Sequence, residues 1–371
     1  MTMMPQHRPA GHNTSMSSPE TVRISEIISA LKNGTYDFNI IGDFDGIRQG
    51  GPFNEPLGSP GATSVTFRQN HLFNEGGALR FPHGIVPRND VWARLEHLSQ
   101  LVKQSNFNGG HPPIVDFEIH RDAIQINSMN IPVMIMPWVE GRSLLTHVRE
   151  LAEGRNTSAL ENIVNQLEEF GKQMHESPFD HGDISGGNLM VTDRGELRVI
   201  DPDTLRHEDV KDGHIAELGH VSFAHPARSN TMWDEDLYRF PLEVIIVTVE
   251  ALAASPELVE SHGNDDGSIL FDEEDLKNPS SSKLYDILCT HPVSKLKERA
   301  IRLRSANCAN SIAEANKILG PQHTPKPIPP KPMTIMVSPL SGYVQPSNGN
   351  SPPKSRRPLP MRIPEAMRKG E

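Results

Sequence analysis

Three side chains in the stretch HGDISGGNLMVTDRGELRVIDPD, His181 to Asp203, have the types and spacing for chemistry on a hydroxyl and a metal ion. Asp183 is a carboxylate that can accept a proton. Asn188 lies five residues on and Asp201 thirteen beyond that, an amide carbonyl and a second carboxylate. These are hard oxygen donors of the kind magnesium takes beside nucleotide phosphates. A single turn rich in Asp, Asn and Gly often does no more than cap structure, but three such donors at these intervals can converge if the chain runs loop, strand, turn, strand.

The flanking pattern supplies that arrangement. Leu189 to Thr192 and Leu197 to Ile200 read as short strands around the turn Asp193-Arg194-Gly195. Before them, Leu144–Leu151 and Leu160–His175 are periodic at helical spacing, and Asp236–Ala254, apolar on all sides, is expected to be a buried helix. Further helix is expected over Ser282–Thr290 and Val293–Leu319. Upstream, Ser18-Pro19-Glu20 reads as the start of a helix running to Asn33-Gly34. Thr63–Gln69 and Gly77–Phe81 read as a hairpin, Asn89–Gln104 as a helix, and Ile114–Ile126 and Ile131–Val139 as strands. The expected fold class is therefore α+β, a small β-rich half followed by a larger helical half.

The Asp, Asn and Asp trio resembles the signature of the protein-kinase-like superfamily. That resemblance covers roughly Thr63 to His291 and implies a bilobal fold, with residues 21–137 as the N-lobe and 138–320 as the C-lobe. It implies Asp183 as the catalytic base, Asn188 and Asp201 as magnesium ligands, and ATP as phosphate donor. Met136-Pro-Trp-Val-Glu-Gly-Arg-Ser-Leu144 looks like the hinge between lobes, where Met136 would guard the back pocket and the Pro137 carbonyl and Val139 backbone would face the adenine ring. Gly58, Gly61 and Val65 match a phosphate-covering turn, with Thr63 where a third glycine is expected. Glu217-Leu-Gly-His220 and Ala224-His-Pro-Ala-Arg228, followed by Asp236-Leu-Tyr-Arg-Phe240, are similar to the activation segment of a prokaryotic group of serine/threonine protein kinase-like proteins and its exit into a buried helix. In that analogy Asp236 anchors the catalytic-loop backbone and His181 is a packing and hydrogen-bonding residue.

The chain also departs from the pattern. Strand three offers Arg80 where a phosphate-holding Lys is usual, a fork in place of a point charge, and Glu96 is the best candidate for its helix partner. Gly182 stands where regulated kinases carry an Arg, Ser185 where a phosphate-contacting Lys is usual, and Asp203 where a glycine closes the motif. His181-Gly182-Asp183 recurs in aminoglycoside and choline phosphotransferases, so a small-molecule kinase stays open beside a Ser/Thr protein kinase. The altered Arg80 and glycine turn also leave open a pseudokinase that binds without turnover.

Of 371 residues, 36% are hydrophobic and 22% charged, enough for one large core or two smaller ones. The net charge of −11 is uneven: eight Lys or Arg against two Asp or Glu follow residue 320, leaving −17 on the body. So acidic a body argues against nucleic acid as a partner. Thirteen of the 32 prolines fall in residues 321–371, expected to be a disordered basic tail, as residues 1–20 are a disordered leader. Within that tail Lys326–Pro332 and Arg356–Pro360 fit extended ligand segments for a tail-binding protein. Cys289 and Cys308 form no CxxC pattern, and His207, His214, His220 and His225 lack a zinc-site spacing. No apolar run reaches membrane-spanning length, so a cytoplasmic protein away from membranes is expected.

Overall fold

The computed structural model describes residues 20–105, 113–210, 219–229, 236–263 and 267–320. The expected leader to residue 19, the proline-rich tail, His214, and Glu217 and Leu218 of the ELGH motif lie outside them. Mixed α+β architecture is present, with the sheet in the first half and helices in the second, as a bilobal kinase-like fold requires.

Five antiparallel strands form the main sheet: β1 (Gly58–Pro60), β2 (Ser64–Gln69), β3 (Gly77–Pro82), β4 (Glu118–Ile126) and β5 (Met129–Pro137). Their spatial order is β1-β2-β3-β5-β4, so the strand carrying Arg80 lies at the centre. Alternation along β2 sends Val65, Phe67 and Gln69 to one face and Ser64, Thr66 and Arg68 to the other. Register pairs Thr66 with Arg80 and Arg80 with Met134, and Arg68 with Ala78 and Ala78 with Met136. Two rows of side chains therefore run across three strands on one face.

The two faces bury separate cores. Val65, Phe67, Leu79 and Phe81 pack with helix α1 (Ile24–Asn33), which Gly34 ends in the left-handed conformation at φ 69°. Ala78, Met134 and Met136 join the other core with helix α2 (Asn89–Gln104) and the helices of the second half. Among those are α3 (Leu144–Glu153), α4 (Thr157–Glu176) and α5 (Arg239–Ala254), the last buried over most of its circumference.

Local differences from the sequence reading have local causes. The first helix starts at Ile24, because Thr21 and Val22 pair as a strand with Ile85 and Gly84 and bury Val22. The expected helix Val293–Leu319 is two, α6 (Ser294–Asn307) and α7 (Ile312–Leu319), because Ser311 caps a fresh start by accepting the Glu314 N–H at 3.2 Å.

Candidate functional site

Two antiparallel ladders bracket the chemistry. In one, β7 (Leu189–Thr192) pairs with β8 (Leu197–Val199), Leu189 opposite Val199. In the other, β6 (Phe179–His181) pairs with β9 (Leu205–His207), His181 opposite Leu205. The loops 182–188 and 200–204 therefore each begin at one ladder and end at the other, side by side. Ile200 N–H donates to the Asn188 carbonyl at 3.1 Å, so the thirteen-residue interval is closed by a hairpin.

Asp183 is half-buried and fixed on both oxygens. Asn188 Nδ2 donates to Asp183 Oδ2 at 2.7 Å and to its carbonyl at 3.0 Å, and His220 N–H donates to Oδ1 at 2.7 Å. His181 is fully buried; its Nδ1 accepts from Asp183 N–H at 3.2 Å, so Nε2 carries the proton and donates to the Asp201 carbonyl at 2.5 Å. One imidazole thus ties the two loops together, the packing and hydrogen-bonding role that the sequence suggests.

Arg80 reaches the site from the sheet. Its Nη1 donates to Asp201 Oδ1 at 2.5 Å, Nη2 to Asp203 Oδ2 at 2.8 Å and Nε to Ser64 Oγ at 2.7 Å. Burial works against ionisation of Asp201, but the Arg80 charge and hydrogen bond outweigh it and hold the carboxyl below its ordinary value. Arg94 of α2, only 5% exposed, donates to the Asp203 carbonyl at 2.5 Å and the Leu205 carbonyl at 2.9 Å.

The donor set fits a magnesium nucleotide. Both Asn188 bonds to Asp183 use its Nδ2, leaving the amide oxygen for a cation. Asp201 takes Arg80 and the Asp203 N–H on Oδ1, leaving its second oxygen outside those bonds. Among the described residues no group of three or more His, Cys, Asp or Glu forms a metal cage. A cation at Asn188 and Asp201 would then draw its other ligands from phosphate and water, as magnesium commonly does.

Other residues singled out in the sequence are placed less directly. Met136, 5% exposed, opposes Ala78, and Pro137 ends β5; Trp138 N–H donates to the Gly76 carbonyl at 2.9 Å, and Val139 is half-buried beyond it. Gly58 lies in β1 opposite Phe67, and Gly61 sits in the exposed turn whose N–H donates to the Ser64 carbonyl at 2.7 Å. Val65 is not brought to the site. Strand alternation turns it to the face opposite Arg80, fully buried in the α1 core, while Ser64 and Thr66 share the Arg80 side. Ser185 is 5% exposed, and its hydroxyl accepts the Asn188 N–H at 3.3 Å, shaping the loop.

Glu96 does not meet Arg80. It holds Arg121 of β4 through two bonds of 2.5 and 3.0 Å. Asp180 of β6 accepts N–H groups from Leu237 at 2.8 Å and Tyr238 at 3.2 Å, tying the strand before Asp183 to the residues that lead into α5. Burial pushes the Asp180 carboxyl up, opposed by those N–H groups.

Arg228, the last residue of the Ala224–Arg228 stretch, carried no role of its own in the sequence reading. Its Nη1 donates to the Gly182 carbonyl, and a Cβ at position 182 would stand 2.5 Å from its Nη2. Arg228 thus fills the space that an arginine at 182 would need. Burial, then the neighbouring Arg206, lower its pKa to about 10, with Asp183 and Asp180 acting the other way. Its only sequence cue was an arginine after the His225-Pro226 pair, forty-six residues from its partner.

No protein-family model matches the chain. Over 149 residues, 39% of the chain and 44% of the relative, it is 27% identical to a protein of Oryza sativa subsp. japonica described as "Putative cyclin-dependent kinase F-2". The chain spans less than half the length of that curated relative. The likeness supports a protein-kinase-like relationship, and it does not reach the prokaryotic group suggested by the ELGH and HP motifs. Among the described residues no helix is long and apolar enough to cross a membrane.

Proposed function

We propose that the chain is an ATP-dependent phosphotransferase of the protein-kinase-like type, acting on Ser or Thr hydroxyls of protein in a reducing cytoplasm. It divides into lobes at the hinge, 21–137 and 138–320. The observation that carries the reading is the Asp183–Asn188 bond of 2.7 Å, on a loop tied through His181 to Asp201 and through Asp201 to Arg80.

In this reading the acceptor oxygen attacks the γ-phosphorus, the bond to the β,γ-bridging oxygen breaks, and ADP leaves. Asp183 takes the hydroxyl proton on the carboxylate that Asn188 and His220 hold in one rotamer. Asn188 and Asp201 would hold magnesium, whose charge offsets that of the phosphates. Arg80 would offer its guanidinium fork to phosphate oxygens once magnesium takes Asp201. Met136, Pro137 and Val139 receive the adenine, and Gly58 and Gly61 belong to the hairpin that covers the phosphates.

A kinase acting on a small hydroxyl compound is the second reading, favoured by the sequence His181-Gly182-Asp183. Incubation of the wild type and Asp183→Ala with γ-labelled ATP, a whole proteome and a metabolite extract separates the two. Label in protein that depends on Asp183 supports the first reading. Label in a small product alone supports the second, and no Asp183-dependent label in either rejects both.

A further inference from the structure

We infer that Asp203, rather than a helix glutamate, is the positioning residue that aims Arg80, and that Arg94 of α2 holds Asp203 in place. The inference rests on the nucleotide-site reading above. Arg80 has an 11% exposed side chain, and each of its three nitrogens has a partner: Ser64 Oγ at 2.7 Å, Asp201 Oδ1 at 2.5 Å and Asp203 Oδ2 at 2.8 Å. Asp201 is the carboxylate a cation would claim, and a serine hydroxyl is a weaker partner than a carboxylate. Of these three, Asp203 is the carboxylate that a cation leaves to hold the guanidinium in direction.

The helix cannot supply that carboxylate. On α2, Arg94 and Glu96 are two residues apart, about 200° around the axis, so when one faces the site the other faces away. Arg94 faces it, and Glu96 turns to Arg121 on the far strand. Burying Arg94 lowers its pKa, and the Asp203 charge acts the other way. The acidic partner has moved from the helix to the metal-binding turn, and the helix instead grips that turn by its carbonyls.

The test is calorimetric titration of the full chain with ADP and, as a phosphate-free control, adenosine, each with EDTA and with magnesium. Asp203→Asn should weaken ADP roughly tenfold in both media, the scale of one hydrogen bond to a charged group, and leave adenosine unchanged. Asp203→Glu should recover part of the loss, Arg94→Lys should weaken ADP in the same direction, and Glu96→Ala should leave it unchanged. In an Arg80→Met background Asp203→Asn should add little. ADP binding unchanged or tightened by Asp203→Asn overturns the inference, as does a loss seen only with magnesium, which would make Asp203 a metal ligand. Circular dichroism checks that each variant folds, and Arg94→Lys carries the test if Asp203→Asn does not. A wild type that binds neither ADP nor adenosine overturns the site reading itself.

Discussion

Asp183 is approached from two directions, by Asn188 on its own loop and by the His220 N–H from thirty-seven residues away. Gly219 makes the second approach possible. Its φ is +82°, and a Cβ there would lie 2.8 Å from Asp183 Oδ1 and 2.9 Å from the Gly182 carbonyl. Gly219→Ala should therefore cost about 1–3 kcal/mol of strain and lower transfer, measurable as a drop in melting temperature together with a drop in rate. The closeness of the loops carrying Asp183, Asn188 and Asp201 was legible because a hairpin brings residue 200 back to residue 188. Val65 was misplaced for an equally local reason: a one-residue change in register flips every side chain to the other face, and the glycine pattern did not fix the register. Arg94 and Arg228 act on carbonyls of residues 203, 205 and 182, and nothing in their neighbourhoods announces it.

At the scale of elements, the site depends on two ladders, and the sequence disclosed one of them. Leu189–Thr192 and Leu197–Val199 are apolar runs around a Gly turn, whereas Phe-Asp-His at 179–181 and Leu-Arg-His at 205–207 are three-residue strands with charged centres. Such strands carry no periodicity to read. Helix α2 was legible because Val91, Leu95, Leu98 and Leu101 keep helical spacing behind Pro87. The break between α6 and α7 was not, since apolar spacing continues across it; Ser311→Ala should cost about 1 kcal/mol in a denaturant melt. His225 joins the segment after the site to α6, donating from Nε2 to the Ala306 carbonyl at 3.0 Å, and burial lowers its pKa. Above its ordinary value of 6.5 it is neutral folded and unfolded, and its contribution to stability is complete. As pH falls below that value the unfolded chain takes the proton first, so stability is lost until the lowered folded pKa is passed. Urea melts at pH 7.5 and 5.5 should show this loss, and His225→Asn should reduce it.

Across the whole molecule, composition and strand-then-helix order were enough to give the α+β class, because fold class follows from which elements alternate. What holds the helical half together was not readable. Arg299 of α6 bonds Glu243 at 2.8 Å, Glu250 at 2.8 Å and Glu168 at 2.9 Å, drawing α4 and α5 onto one guanidinium from as far as 131 residues away. Although burial works against it, the Glu243 and Glu250 charges raise the Arg299 pKa. Glu243 and Glu250 are more buried than Arg299, and without the arginine Glu250 keeps Lys295 at 2.9 Å while buried Glu243 keeps Arg302 only at 3.9 Å. Arg299→Met should destabilise by about 3–5 kcal/mol, while Glu96→Ala, at a partly exposed pair, should cost under about 1 kcal/mol. Thermal melts of the two variants check that contrast.

The central claim is that the loop fixed by Asn188, His181 and His220 presents Asp183 as a base to a hydroxyl. The most direct measurement is the initial rate of phosphate transfer by Asp183→Asn beside wild type at saturating magnesium ATP, with nucleotide affinity measured in parallel. A rate roughly 10²–10⁴-fold lower with nucleotide affinity retained is the predicted result. Transfer at the wild-type rate would contradict it.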